Sequence, residues 1–236
     1  MAPDAPAGHE PATGPRSEKG ARTRARLVSA AKCVFERDGF LDARISDIAD
    51  EAGVSYGSFY HYFTSKDEVF REVARAQEAQ LDAQLDVRAD EQSDAQPTGV
   101  AEPDGAARMR AAADLRDRLS SSIRSYLVEY RAEAKIMGVI EQVSRFDMQV
   151  YRLRFERLER FSVSLAESIR RAQRLGAVDP ALDPVIVAHV LTATITRFAE
   201  ALFVQGQFRC PFEEGVVQLT ALCCNALRLV PVATTG

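Results

Sequence analysis

Residues 45–66 read ISDIADEAGVSYGSFYHYFTSK, and the fold follows from this stretch. Ile45, Ile48, Ala49 and Ala52 share one face of a short amphipathic helix. Gly53 can then adopt the positive φ that ends a helix and lets the chain turn. Ala49 is small enough for a second helix to cross closely, and Val54 offers an apolar plug for the turn. Ser55 is a good N-cap for that second helix, Ser55 to Phe63, whose inner face is Phe59 and Phe63. Tyr56, Ser58, Tyr60, His61 and Tyr62 then point elsewhere, and a surface this aromatic and hydroxylated needs a partner. Ser65 starts a further helix, with Glu68 three positions later as a capping box. Lys66 in its first turn opposes the helix dipole, a placement that makes sense if a phosphate sits beside that N-terminus. The layout is a helix-turn-helix followed by a third capped helix.

Working outward, Thr23 can cap a preceding helix whose Leu27, Ala30, Ala31, Val34 and Phe35 form a core stripe before Gly39 stops it. Residues 1–20 are rich in Pro, Gly and Ala and read as a mobile arm. Between Arg16 and Lys32 six basic residues face one acid, a local balance of +5, although the whole chain carries −4. Distribution matters more than the sum, and the positive end is where nucleic acid belongs. The acidic total comes from Asp82 to Gly105, where seven acids stand against Arg88.

The chain is expected to be all-α. A three-helix unit at 21–70 leads into a connecting helix at 71–88 and an acidic loop at 89–108. A helical regulatory and dimerisation domain follows at 109–232. No segment alternates with period two over strand length. The 236 residues contain no uninterrupted apolar run of membrane-spanning length, since His189, Arg197 and Glu200 break the best candidate, and the N-terminus has no apolar core of a secretory signal. A cytoplasmic protein with no membrane partner is expected. Cys33, Cys210, Cys223 and Cys224 show no metal-ligand spacing, so no metal or other cofactor is expected, and the adjacent pair reads as small hydrophobes rather than a redox sensor.

At TRARLVSAAKCVFERDGF, DIADEAGVS and GSFYHYFTSKDEVF the chain resembles the tetracycline-repressor (TetR) family of transcriptional regulators. The likeness covers roughly Thr23 to Phe70 at motif level. It implies a ligand-responsive regulator, most often a repressor, binding double-stranded DNA. Tyr60, Tyr62 and Lys66 fall where members touch phosphates, and Arg44, Ser46 and His61 fall at neighbouring contact positions. Members often carry a hydroxyl residue at the place of Arg44 and a basic one at that of Ser46. Independently of the family, the opening turn of a major-groove helix reaches base edges, which nominates Ser55, Tyr56, Gly57 and Ser58.

Two late segments are apolar on more than one face and must be covered twice. Val190, Ile195, Phe198 and Leu202 on the first, with Val216, Leu219, Cys223 and Leu227 on the second, are the expected homodimer interface, as a four-helix bundle. A small-molecule effector, lipophilic or aromatic, is expected among Tyr126, Tyr130, Met137, Glu141, Phe146, Tyr151, Phe155 and Phe198. Gln142, His189 or Arg197 are further polar anchors. The run Arg152, Arg154, Arg157, Arg160 reads as a solvated face, with an anion site as the sharper alternative. Two rival classes remain: a helical protein-binding adaptor, and a hydrolase suggested by the G-x-S-x-G spacing of Gly53 to Gly57, which needs a strand before its serine.

Overall fold

The computed structural model of the chain describes residues 18–83 and 104–229. Among them there is no strand. The elements are α1 (Glu18–Asp42), α2 (Ile45–Glu51), α3 (Tyr56–Phe59), α4 (Lys66–Asp82), α5 (Gly105–Ala132), α6 (Ala134–Ser144), α7 (Met148–Arg174), α8 (Pro184–Ala199), a π-helical turn (Glu200–Val204) and α9 (Phe212–Ala226). The chain divides into two compact units, residues 1–73 and 74–236, with the boundary inside α4.

In the first unit Leu27, Ala30, Ala31, Val34 and Phe35 of α1 are all buried, as the periodicity predicts. Phe70 meets Phe35 and Phe40 edge-on, each with ring centroids 4.9 Å apart. Each such buried side chain is worth about 1.5–3 kcal/mol. α1 already includes Glu18, the first described residue, so the helix is under way before the expected cap at Thr23 in spite of Gly20. Thr23 is an interior residue whose hydroxyl donates to the Lys19 carbonyl at 3.1 Å. Gly39, at φ 76°, kinks α1 where a stop is predicted. α2 ends as its glycine requires. Gly53 has φ 62°, its N–H donates to Asp50 O and the Val54 N–H to Ala49 O, both at 3.0 Å, which satisfies the last carbonyls of the helix.

α3 is shorter than the expected Ser55 to Phe63 helix. Regular structure stops at Phe59, and the chain continues as turns in which the Tyr62 and Phe63 N–H groups both reach Phe59 O, at 2.9 and 3.1 Å. The aromatic run Tyr60–His61–Tyr62 has little helix propensity, and the turns still bury Phe63 beside Phe59. The Glu68 N–H reaches Ser65 Oγ at 3.1 Å, while the Glu68 carboxylate accepts from the Thr64 N–H and hydroxyl, both at 2.6 Å. The reciprocal half of the capping box thus closes one residue earlier than the motif suggests.

In the second unit α5 starts at Gly105, capped by Asp104, which accepts from the Ala107 N–H at 2.6 Å. The last residues of the expected acidic loop are therefore helical. Residues 1–17, 84–103 and 230–236, with most of the arm, the end of the connecting helix and the rest of that loop, lie outside the described residues. Asp183 caps α8 through the Val185 and Ile186 N–H groups at 2.9 and 3.0 Å, and Pro184 occupies the first turn. Pro184–Val204 is, by length and mean hydropathy, the one described helix that would suffice to cross a membrane. Its buried residues Ala188, Leu191, Ile195 and Ala199 are a core stripe of the bundle.

The expected dimer face divides. Ile195, Val216, Leu219, Cys223 and Leu227 are closed into the protomer's own core, and Phe198 and Leu202 are half-buried. Only Val190, 58% exposed, remains uncovered. Its uncovered apolar neighbours are residues the sequence reading passed over: Ile186 on α8, at 64%, and Val217 and Leu222 on α9, at 60% and 51%.

Candidate nucleic-acid interface and effector groove

Ser55 Oγ caps α3 by accepting the Ser58 N–H at 3.2 Å, and the two hydroxyls are 2.7 Å apart. With Phe59 and Phe63 anchored inward, Tyr56 and Tyr60 stand out of the surface, 56% and 45% exposed. Their rings meet edge-on at 5.4 Å and their hydroxyls share a hydrogen bond of 2.9 Å. That bond, above all, raises the Tyr60 hydroxyl's pKa. The tyrosine pair is therefore one preorganised donor–acceptor unit rather than two floating side chains. Gly57 is exposed, and a Cβ there would meet nothing within 4 Å. Its own fold does not demand a glycine, so the open backbone is available to a partner.

His61 is exposed and Tyr62 half-buried in the turns after α3. Arg44 is exposed at the N-cap of α2 without capping it, and Ser46 donates to Asp47 at 3.2 Å. Ser55 is thus brought together with Ser58 and Tyr56 with Tyr60, while Gly57 and His61 are exposed.

Lys66 is placed otherwise. Its ammonium donates to the carbonyls of Phe40, Leu41 and Ala43 at 2.7, 3.1 and 2.9 Å and lies 4.8 Å from the Phe40 ring centre. All three donors are spent on the chain leaving α1, so the side chain is a brace and not a free phosphate anchor. Part of the basic balance of α1 is also internal. Arg26 donates to the carbonyls of Ala52 and Gly53, clamping the turn, and Arg24 pairs with Glu72 at 2.8 Å while its guanidinium covers Phe63 at 4.8 Å. Net charge counts could not reveal these assignments.

A second site lies in the bundle. A groove of about 770 Å³ is lined by Glu141, Ser144, Arg145, Met148, Tyr151, Arg154, Phe155 and Leu158. Three of the expected effector residues, Glu141, Tyr151 and Phe155, are among them. Tyr126, Tyr130 and Met137 are instead fully enclosed core residues, burial pushing both phenols up, and Phe198 packs on Phe208 with ring centres 5.4 Å apart. Phe146 is exposed at the α6–α7 corner. Gln142 is exposed, His189 lies 3.9 Å from Glu159, and Arg197 pairs with Glu200 at 3.0 Å, so none of them lines the groove. Ser144, Arg145, Met148 and Leu158 were missed because only the corner between α6 and α7 brings them together.

The arginine run is no solvated face. Arg152 and Arg160 are exposed, the latter paired with Asp82 at 2.9 Å, but Arg157 is 2% exposed and donates to Glu78. At the rim Glu141 pairs with Arg145 at 2.6 Å. Burial, and the hydrogen bond its carboxyl donates to Glu141, raise the Glu200 carboxyl. At Glu141 burial acts the same way but is outweighed by the bonds to Arg145 and Glu200.

The hydrolase reading fails on geometry. A helix and a turn precede Ser55, and its Oγ is engaged with Ser58, so there is no strand-to-helix elbow.

Residues 27–73 match the family model described as bacterial regulatory proteins, tetR family. The chain is 27% identical over 188 residues to the HTH-type transcriptional regulator YdgC of Bacillus subtilis, covering 80% of this chain and 85% of that protein. It is 37% identical over 75 residues to the HTH-type transcriptional repressor KstR2 of Mycolicibacterium smegmatis, a match spanning 31% of that protein's length. In fold it is similar to GusR of Salmonella enterica, with a TM-score of 0.64 at 19% identity over 90% of this chain and 98% of that one. The fatty acid degradation regulator FadR of Bacillus halodurans gives 0.63 at 18% identity, over 88% and 97%. The capped turn, the all-helical architecture and these likenesses agree: residues 27–73 form a DNA-binding domain of the TetR family, on a chain whose curated relatives are named transcriptional regulators.

Proposed function

We propose that this regulator is a repressor that reads a palindromic operator as a homodimer and is released by a small, largely apolar effector. The observation that carries the DNA reading is the tyrosine pair held out of the surface at the start of α3, on a turn whose anchors, Phe59 and Phe63, are buried. Ser55, Tyr56, Gly57 and Ser58 approach base edges, while Tyr60, Tyr62, Arg44, Ser46 and His61 contact or flank the phosphates. Lys66 serves by bracing the unit, its backbone standing at the N-terminus of α4.

Self-association uses the uncovered apolar residues of α8 and α9, Ile186, Val190, Val217 and Leu222, with Phe198 and Leu202 beside them. Exposed apolar groups of this size on two helices are what a four-helix bundle between copies would cover. Two reading heads then address half-sites about 34–36 Å apart, or a multiple of that spacing. The effector occupies the α6–α7 groove, whose volume suits a small molecule. Release follows if the effector favours one disposition of the two heads over another. The repressor assignment is supported by the name of the KstR2 relative, and cytoplasmic operation follows from the need to reach DNA.

The test is a gel shift with the DNA upstream of the protein's own gene across a salt series. A dimer-sized complex on a palindrome, weakening with salt, supports the reading. No shift on this DNA or on binding-selected random DNA would overturn it.

A further inference from the structure

Behind the effector groove the bundle holds a charge cluster that its own side chains leave incomplete. Arg154 lines the groove and donates through Nη1 to Ser144 Oγ at 3.0 Å, while its buried Nε has no hydrogen-bond partner among the described residues and lies 4.0 Å from Glu78 Oε1. One turn along α7, Arg157 donates through Nε to Glu78 Oε2, yet its Nη1 is also unpartnered. The Arg157 guanidinium stands 5.8 Å from the ring centre of Tyr126, whose buried hydroxyl has no partner either. The open positions are thus two arginine donors, Arg154 Nε and Arg157 Nη1, against one carboxylate acceptor, Glu78 Oε1, with the Tyr126 hydroxyl facing Arg157 and able to donate or accept.

The charges are unequal in the same sense, two guanidinium groups facing one carboxylate. Glu141 and Glu200, the other carboxylates that face Arg154, do not correct this because they are held by Arg145 at 2.6 Å and Arg197 at 3.0 Å. Buried polar atoms are ordinarily satisfied, and a buried surplus charge is expensive. What would complete the cluster is an anionic acceptor, and a planar carboxylate matches a guanidinium best. Beyond the polar end formed by Glu141, Ser144, Arg145 and Arg154, the groove is lined by Met148, Tyr151, Phe155 and Leu158, with the Tyr151 and Phe155 rings nearly parallel at 6.3 Å.

We propose that the α6–α7 groove takes an amphipathic monocarboxylate, its apolar chain along Met148, Tyr151, Phe155 and Leu158 and its carboxylate on Arg154. This rests on the groove being the effector site of the regulator. Glu78, with its partner Arg157, holds Arg154 in position from behind. A cationic headgroup would add to the surplus, and a neutral alcohol would leave the charge uncompensated.

Isothermal titration of the full-length protein with octanoate, 1-octanol and octyltrimethylammonium, below their micellar concentrations, tests this on one apolar chain with three headgroups. Octanoate should bind at least about tenfold tighter than the other two. In Arg154→Met, checked by thermal unfolding, octanoate should fall to the level of octanol. Equal affinity for acid and alcohol, preference for the cation, no binding of octanoate, or an acid preference that survives Arg154→Met would each overturn the proposal. If that variant does not fold, the three-headgroup comparison on the unaltered protein decides alone. A gel shift on the same protein separates the two readings. DNA binding without acid preference refutes only the carboxylate site, whereas acid preference without DNA binding refutes only the operator reading.

Discussion

Lys66 Nζ donates to the carbonyl oxygen of Ala43 at 2.9 Å, and together with the bonds to Phe40 and Leu41 this ties the start of α4 to the last turn of α1 and the segment that follows it. Hydrogen bonds from a charged donor are worth about 1.5–3 kcal/mol. Lys66→Met should therefore lower stability by about that amount in urea unfolding. The slope of log affinity against log salt for DNA should stay unchanged, because no side-chain phosphate contact is lost. A slope reduced by about one charge at unaltered stability would return Lys66 to the role of phosphate anchor.

Tyr56 separates binding from folding. Its exposure means that Tyr56→Ala should alter stability by no more than about 0.5 kcal/mol, as for other surface substitutions. Operator affinity, measured by fluorescence anisotropy, should drop by about 1–3 kcal/mol, the cost of a lost base contact. Unchanged affinity would remove Tyr56 from the interface.

Glu78 is 3% exposed in its side chain and carries the Arg157 pair. Removing one partner of a buried pair typically costs about 3–5 kcal/mol because the other charge is stranded. Glu78→Ala should show this in denaturant unfolding. Glu78→Leu combined with Arg157→Met should recover most of the loss. A single substitution costing less than about 1 kcal/mol would mean that water reaches the pair.

The thiols should divide by burial. Burial first, and the neighbouring Cys224 second, push the Cys223 thiol up to about 12, and burial also raises Cys224. For an acid raised on folding, the favourable contribution is complete below the ordinary thiol value and fades as pH rises toward about 12. At pH 8 the native protein should expose Cys33 and Cys210 to a disulfide reagent, while Cys223 and Cys224 react only in denaturant. Rapid reaction of all four thiols would contradict this.

If the proposed homodimer forms through α8 and α9, Val190→Glu with Leu222→Glu should halve the mass seen by light scattering, since both side chains are exposed in the protomer and neither supports its core. An unchanged mass would locate the subunit contact elsewhere.

The sequence disclosed what local backbone rules govern. Gly53 ends α2 and Ser55 caps α3 because each residue acts within a few positions of itself, and Asp183–Pro184 opens α8 for the same reason. Partners far along the chain stayed hidden. Lys66 reaches back 23 to 26 residues, Arg24 spans 48, and Arg157 meets a carboxylate 79 positions away. Periodicity showed that α8 and α9 are apolar on two sides but not which side the protomer itself would cover. Val216 and Cys223 went inward and Val217 and Leu222 outward.

The brevity of α3 limits how much one copy can discriminate. Its four residues rise only about 6 Å, and stacked base pairs are about 3.4 Å apart, so its axis passes roughly two steps of the duplex. A word that short recurs by chance throughout any chromosome. In the proposed homodimer, selectivity on a genomic scale then comes from multiplying two such short words at a fixed separation, and a mutation that only changes their spacing should erase address recognition while leaving every side chain at the duplex intact.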